Sequence, residues 1–361
     1  MKSSHRTMWQ FAAGDSNRSY QDVCLRWDAI IFGPGYAGPW PECEARLLAD
    51  GRTPKKMEIV RKFAEDTSEG DLVFLRLGTS EIYGVGEVVG DYAWFDDFGD
   101  IDGWHLGHVR RVRWLWRYDG SPQRFETYTL KLGDTLQPMT SEVVSEWFDG
   151  LTIPEEMRSR SLQKLPATCV PSADTKLDIS MDTIANSLFD EGVAAGSIDA
   201  LVSGMDELKR IASWYDRSDT SPSESETIAY LVVPLLRALG WTPQRMAVEW
   251  NHVDLALFSQ MPRQDDNLAV AVEVKKRGLS CLNAKSQAER YAEEPGREGC
   301  LRLIVTDGIR YGVYVRRSGE AFLDGPTAYL NLNRMMSAYS ILECDGAAEA
   351  LRLMAPDWSE P

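Results

Sequence analysis

The chain has 361 residues and a formal charge of −16, with 43% hydrophobic and 26% charged residues. That length suits two or three domains with full cores, at roughly 100–200 residues each, and the composition excludes disordered, collagen-like and coiled-coil classes. The acidic balance excludes a basic protein that coats nucleic acid non-specifically, but leaves room for nucleic acid in a localised cleft.

No apolar run approaches the roughly 18 residues of a membrane span. The N-terminal Met1-Lys2-Ser3-Ser4-His5-Arg6 leads into a strand-like stretch, not the apolar core of a leader peptide. Six cysteines (Cys24, Cys43, Cys169, Cys281, Cys300, Cys344) are scattered without a CxxC pair. This pattern predicts reduced thiols, a cytoplasmic location and no membrane partner.

In chain order, residues 1–150 read as β-rich. Strands are predicted at Thr7–Ala12, Asp71–Arg76, Ile82–Val89 and Val109–Trp116, with Gly78–Glu81 as a hairpin turn and an amphipathic helix over Lys55–Phe63. Eight of the 12 tryptophans precede residue 150, which suggests either a stacking pocket or a bulky barrel core. Residues 151–222 lose the strand signal. Helical spacing at Met181–Phe189 and Ile198–Trp214 makes this stretch a helical connector. Residues 223–361 form the third region. Ser223 caps a helix to Ala238 that ends at Gly240. Strands follow at 246–258 and 268–275, a helix at 283–293, and strands at 301–306 and 311–316 around the turn Asp307-Gly308. The order is that of an α/β sheet domain.

Chemistry concentrates in this third region. Asp254 is an acid inside the apolar strand Val253–Leu257, and Glu273 and Lys275 leave the same face of the next strand. A carboxylate and an ammonium on a partly buried face are costly unless paired or used. Asp254 and Glu273 on neighbouring strands supply the oxygen ligands that Mg²⁺ (or Mn²⁺) takes, and Lys275 is placed to orient or deprotonate an attacking water. An isolated D…ExK triplet also arises as a surface ladder. Here it is accompanied by Glu224 and Thr227, Pro234-Leu235-Leu236, Leu239-Gly240-Trp241, Gln287…Tyr291 and Val305-Thr306-Asp307-Gly308, all in order.

This series resembles the PD-(D/E)xK nuclease superfamily, and within it the nuclease domain of type I restriction enzyme motor subunits. The resemblance runs from Ser223 to Gly308. It implies Asp254, Glu273 and Lys275 as catalytic, with Asp254 and Glu273 on the metal. It also implies that Gln287 and Tyr291 support the site or contact the DNA backbone. Glu224, which shares a helical face with Ile228, Leu231 and Leu235, is preferred over Glu226 as the supporting acid. No GxxxxGK[ST] is present, so no ATP is expected.

The N-terminal region resembles the PUA-like group that includes EVE and YTH domains. The carrying residues are Met8-Trp9-Gln10-Phe11, Trp27, Gly70-Asp71-Leu72-Val73-Phe74, Gly84–Val88 and Val109–Trp114. The resemblance implies a pocket for a modified base, flipped out when the ligand is a duplex. Trp9, Asp15, Asn17, Trp27, Phe32 and Trp40 are its candidate residues, although core packing explains Trp9 and Phe32 equally well. Arg110, Arg111 and Arg113 are candidate phosphate contacts, or else a solvated strand face.

The expected architecture is therefore α+β and multidomain: a PUA-like β-barrel (1–150), a helical connector (151–222) and an α/β PD-(D/E)xK fold (223–361). The expected function is a modification-dependent, type IV-like endonuclease acting on modified phage DNA, with a second copy or two binding events needed to cut both strands. Two alternatives remain open: an inactive reader or adaptor of modified DNA or RNA, and an RNA-directed nuclease.

Overall fold

The computed structural model describes residues 6–15, 18–169, 177–217, 221–277 and 279–358. The chain divides into two compact units, residues 1–176 and 177–361, both mixing helix and sheet.

The first unit contains strands β1 (Met8–Ala12), β2 (Ala29–Phe32), β3 (Leu72–Leu77), β4 (Glu81–Val88), β5 (Ala93–Trp94), β6 (His108–Arg117), β7 (Gln123–Arg124) and β8 (Leu136–Pro138). Its helices are α1 (Gln21–Arg26), α2 (Glu44–Ala49), α3 (Pro54–Arg61), α4 (Glu142–Asp149) and α5 (Glu155–Ser159). The strand order is β2-β6-β4-β3-β1-β8, with β1 and β3 parallel. The first residues of β6 pair with β2 and β5 and its later ones with β4. The sheet consequently curls into a half-barrel. Its central strand is buried on both faces. Phe74 of β3 meets Phe148 of α4 edge-on at 5.5 Å, and on the other side Phe63 packs with Phe11 and Phe32. Thr53 caps α3 by accepting from the Lys56 amide, with Pro54 in the first helical position.

The second unit contains β9 (Met246–Trp250), β10 (Val253–Phe258), β11 (Leu268–Val274), β12 (Arg302–Thr306), β13 (Arg310–Val315), β14 (Ala328–Asn331), β15 (Ala338–Tyr339) and β16 (Cys344–Asp345). Its helices are α6 (Met181–Asp190), α7 (Ala195–Arg217), α8 (Glu224–Thr227), α9 (Val233–Ala238), α10 (Lys285–Ala292) and α11 (Ala347–Met354). The sheet runs β15-β16-β14-β13-β12-β11-β10-β9. The parallel pair β11/β12 is joined through α10, as a parallel pair requires. Ala284, Ala288 and Ala292 pack α10 and the turn before it on one face, with Phe258 and Val305. The other face carries Leu255, Val272 and Ile304, covered by Met205, Leu231, Leu235 and Leu351 from the remaining helices. Both faces are covered, which is why these strands read as nearly continuous apolar runs.

Two expectations are corrected. The stretch read as one strand over 246–258 is a hairpin, β9–β10, turning at Asn251 and His252, both left-handed (φ 43° and 72°). No Asn-Gly pair announces it. The connector over 151–222 is not a body of its own. Residues 151–169 are bound into the first unit, where Arg160 pairs with buried Asp28 and Thr168 donates to Asp97 (2.9 Å). Helices α6 and α7 belong to the core of the second unit.

Candidate nuclease centre and candidate binding cavity

The carboxyl end of the parallel pair β11/β12 brings the charged residues of the second unit together. The β10/β11 register runs through Leu255↔Val272, so Asp254, one step further, stands across from Glu273. The β9/β10 register pairs Val253 with Trp250 and Leu255 with Val248, which places Glu249 across from Asp254 on the other side. Three acids thus form a row over three adjacent strands. Like charges directly opposed across strands destabilise a sheet unless a cation compensates them.

Glu273 is 2% exposed. Its Oε1 accepts from Lys275 Nζ at 2.6 Å, while its Oε2 is buried without a hydrogen-bond partner. Lys275 Nζ also donates to Gln287 Oε1 (3.0 Å), and Gln287 Nε2 donates to the Tyr291 hydroxyl (3.2 Å). Two of the three ammonium hydrogens are thereby used, leaving one for a ligand. Asp254 Oδ2 accepts from the Val274 amide at 2.7 Å. Burial pushes the Asp254 carboxyl above its usual range. The Val274 amide and Lys275 pull it back, and Glu224 and Glu249 push it up again. Burial likewise raises Glu273, opposed by Lys275 and reinforced by Asp254 and Glu224.

Glu224 opens α8. Ser223 and Glu226 form a reciprocal capping box, so Glu226 is committed to the cap through the Ser223 amide (2.8 Å). Glu224 is exposed and does not point into the core with Ile228, Leu231 and Leu235 as its spacing predicts. Glu224 is the first residue of α8, and the π-helical turn Ile228–Val232 breaks the α-helical register between it and Leu231 and Leu235. Glu224 still lies near enough to raise both Asp254 and Glu273. The turn after β12 fixes this helix. Gly308 (φ +84°) approaches so closely that a Cβ there would meet Leu231 Cδ1 and Thr227 Cγ2 at 2.8 Å. The neighbouring Asp307 is held by Arg310 at 2.5 Å.

Among the described residues, no three His, Cys, Asp or Glu side chains are drawn together as a finished metal cage. The donor set nonetheless fits a hard divalent cation: two opposed, desolvated carboxylates, one with an orphaned buried oxygen. Asp254, Glu273, Lys275, Gln287 and Tyr291 are thus brought together, with Glu224 at electrostatic range. Glu249 was not read from the sequence, because an unbroken strand would carry it far from Asp254.

In the first unit a cavity of about 420 Å³ is lined by Asp15, Tyr20, Phe32, Trp104 and His105, among others. Tyr20 and Trp104 meet edge-on at 5.6 Å, and the Arg18 guanidinium lies 4.0 Å over the Trp104 ring. Trp94 stacks on His105 at 6.1 Å, and His105 Nδ1 is buried without a partner. Beneath the cavity, His108 contacts the Tyr92 hydroxyl (2.7 Å) and the carbonyl of Pro34, a lining residue. Burial lowers its pKa to about 4 and so keeps it neutral.

Of the predicted pocket residues, Asp15 and Phe32 line this cavity and Asn17 lies outside the described residues. The three tryptophans do not line it. Trp9 is buried and donates to Asp71 (2.8 Å), and Trp27 is buried in the core. Trp40 donates to Glu65 (2.7 Å) and packs against the cluster of Cys43, Leu47 and Met57. The phosphate role predicted for Arg110 is also corrected, because its buried guanidinium is spent on backbone carbonyls; Arg111 and Arg113, half-buried, donate to carbonyls too, Arg113 through Nε. Arg110 bonds those of Phe63, Ala64 and Gly90, Arg111 those of Asp28 and Gln163, and Arg113 that of Arg160. Trp104 and His105 were missed as pocket residues. Their only sequence signal is an aromatic pair beside Gly103.

Residues 9–141, most of the first unit, match a domain of unknown function (DUF8426). No curated protein and no solved structure matches the chain.

Proposed function

We propose that the chain is a divalent-metal-dependent endonuclease of the modification-dependent kind, its second unit cutting DNA and its first unit holding a modified base. The observation that carries the reading is the buried Glu273, opposed to Asp254 and left with one unpartnered oxygen, beside a lysine held on two sides. Burying such a carboxylate is costly unless a cation completes it. In this reading Asp254 and Glu273 hold the ion, which would neutralise charge developing on the phosphodiester. Gln287 and Glu273 aim the Lys275 ammonium, and its third hydrogen orients the attacked phosphate or the incoming water. Tyr291 fixes the amide of Gln287, so the oxygen faces the lysine and the nitrogen faces the phenol. PD-(D/E)xK and PUA-like folds are the architectures this reading assigns to the two units.

The cavity supports the other half of the reading. Trp104 and Tyr20 offer aromatic surface to a planar ring, while the exposed Asp15 offers a carboxylate to its edge. Stacking plus edge hydrogen bonds is how a flipped base is selected. Duplexes carrying methyl-, hydroxymethyl- or glucosyl-hydroxymethylcytosine test the division of labour. Trp104→Ala should lose preference for the modified duplex, by about fivefold or more for one stacked base. Glu273→Gln should bind as the wild type does and fail to cut. Unchanged selectivity in a folded Trp104→Ala protein would mean that the modified base is not held in this cavity.

A further inference from the structure

The second unit carries a surface that the metal centre does not use. Arg210, Trp214 and Arg217 of α7 are spaced i, i+4, i+7 and so share one exposed helix face. The opposite face buries Met205, Leu208, Ala212 and Tyr215. Trp214 is 53% exposed, as is Tyr230 in the π-helical turn after α8. Lys209, Arg210 and Arg217 line one groove with Ser213 and Asp206. None of the three cations has an ion-pair partner among the described residues, and Arg217 bonds only the Ser213 hydroxyl (3.2 Å). In a chain of net charge −16, three cations without an ion pair among the described residues, beside an exposed indole and with Asp206 as the acid lining their groove, stand out.

The helix that carries this face is tied to the candidate centre from its buried side. Arg277, two residues beyond Lys275, donates to the carbonyl of Ala212, on the face of α7 opposite the stripe (2.9 Å). Tyr215 meets Trp214 edge-on at 4.9 Å. α7 packs against α9 and against the π-helical turn that follows α8, the turn that carries Tyr230.

We propose that the Arg210–Trp214–Arg217 stripe, with Lys209, is where the second unit holds the strand it cuts: the cations on phosphates, Trp214 against an unpaired base. The proposal rests on the nuclease reading and names a backbone-tracking surface independent of the modified base. Cations that follow the phosphates, combined with an aromatic stacking platform, are the general means of gripping a strand without reading its sequence.

The test uses the full chain carrying Glu273→Gln, in metal-free buffer, with a short unmodified duplex and the matching single strand. Affinity is measured over a salt series. Arg210→Ala/Arg217→Ala should flatten the dependence of log K on log salt for the duplex by about 1.8, at roughly 0.9 for each phosphate left without its cation. Trp214→Ala should weaken single-strand binding by about fivefold or more. Arg317→Ala, an exposed arginine on the turn after β13, serves as control and should change neither. An unchanged slope in a variant that melts like its parent overturns the proposal, as does an equal effect of Arg317→Ala. Binding and cutting are read separately, so an unchanged slope beside intact metal-dependent cleavage by the wild-type chain sinks only this inference. Absence of cleavage by the wild-type chain sinks the nuclease reading whatever the slopes.

Discussion

Glu249 stands across the β9/β10 register from Asp254. Its charge raises the Asp254 carboxyl, which must be ionised to hold a cation. Removing that charge with Glu249→Gln therefore lowers the Asp254 pKa. The acid limb of the pH–activity profile should move to lower pH; a limb that stays or moves up contradicts the assignment. Glu273 makes a second prediction. A carboxyl whose folded pKa is raised favours folding when protonated, and it costs stability as pH rises from the ordinary carboxylate range through the raised value. At neutral pH without metal, Glu273→Gln should thus melt at or above the wild type. Divalent ion at about ten times its Kd should add roughly 1.4 kcal/mol to the wild type by mass action and much less to the variant. A variant that melts lower and still responds to metal would contradict the role given to Glu273. Asp254, Glu273 and Lys275 were legible in sequence because a charge inside an apolar strand is conspicuous. Glu249 was not, because its part depends on a left-handed turn at Asn251-His252 that no glycine signals. Nor can sequence tell that Trp9 and Trp40 are spent on Asp71 and Glu65.

At the scale of elements, the helix bearing Glu224 is placed by its cap and by its contact with the β12–β13 turn. Gly308→Ala combines a left-handed backbone with a 2.8 Å approach to Leu231 and Thr227. It should cost about 2 kcal/mol and lower the melting midpoint by several degrees, within the usual range for strain and overpacking. It should also impair cleavage more than Gly319→Ala, since Gly319 is equally left-handed (φ +82°) but has open space around it. Equal effects of the two substitutions would mean that backbone strain alone matters. The cap, the helix end at Gly240, the β3–β4 hairpin and α10 were all predictable from local signals. The π-helical turn was not, because apolar spacing at 228, 231 and 235 fits an uninterrupted α-helix. The late strands β14–β16 are too short to show a period.

At the scale of the whole molecule, the two-unit division departs from the expected three parts. Helical spacing in α6 and α7 identifies helices but not what they pack against, and their apolar faces complete the core of the second unit. The segment after α5 likewise carries few apolar residues, and its attachment runs through Asp28, an acid remote in sequence. We propose that this molecule cuts modified DNA at the Asp254–Glu273–Lys275 centre. The most direct test is incubation of phage DNAs (unmodified, methylated, hydroxymethylated and glucosylated) with the full chain and Mg²⁺ or Mn²⁺, alongside Glu273→Gln. Fragments should come from a modified DNA only, be abolished by chelation and fall at least ~10²-fold in the variant, as loss of metal-assisted charge stabilisation implies. No cleavage of any DNA, or cleavage undiminished in Glu273→Gln, would contradict it.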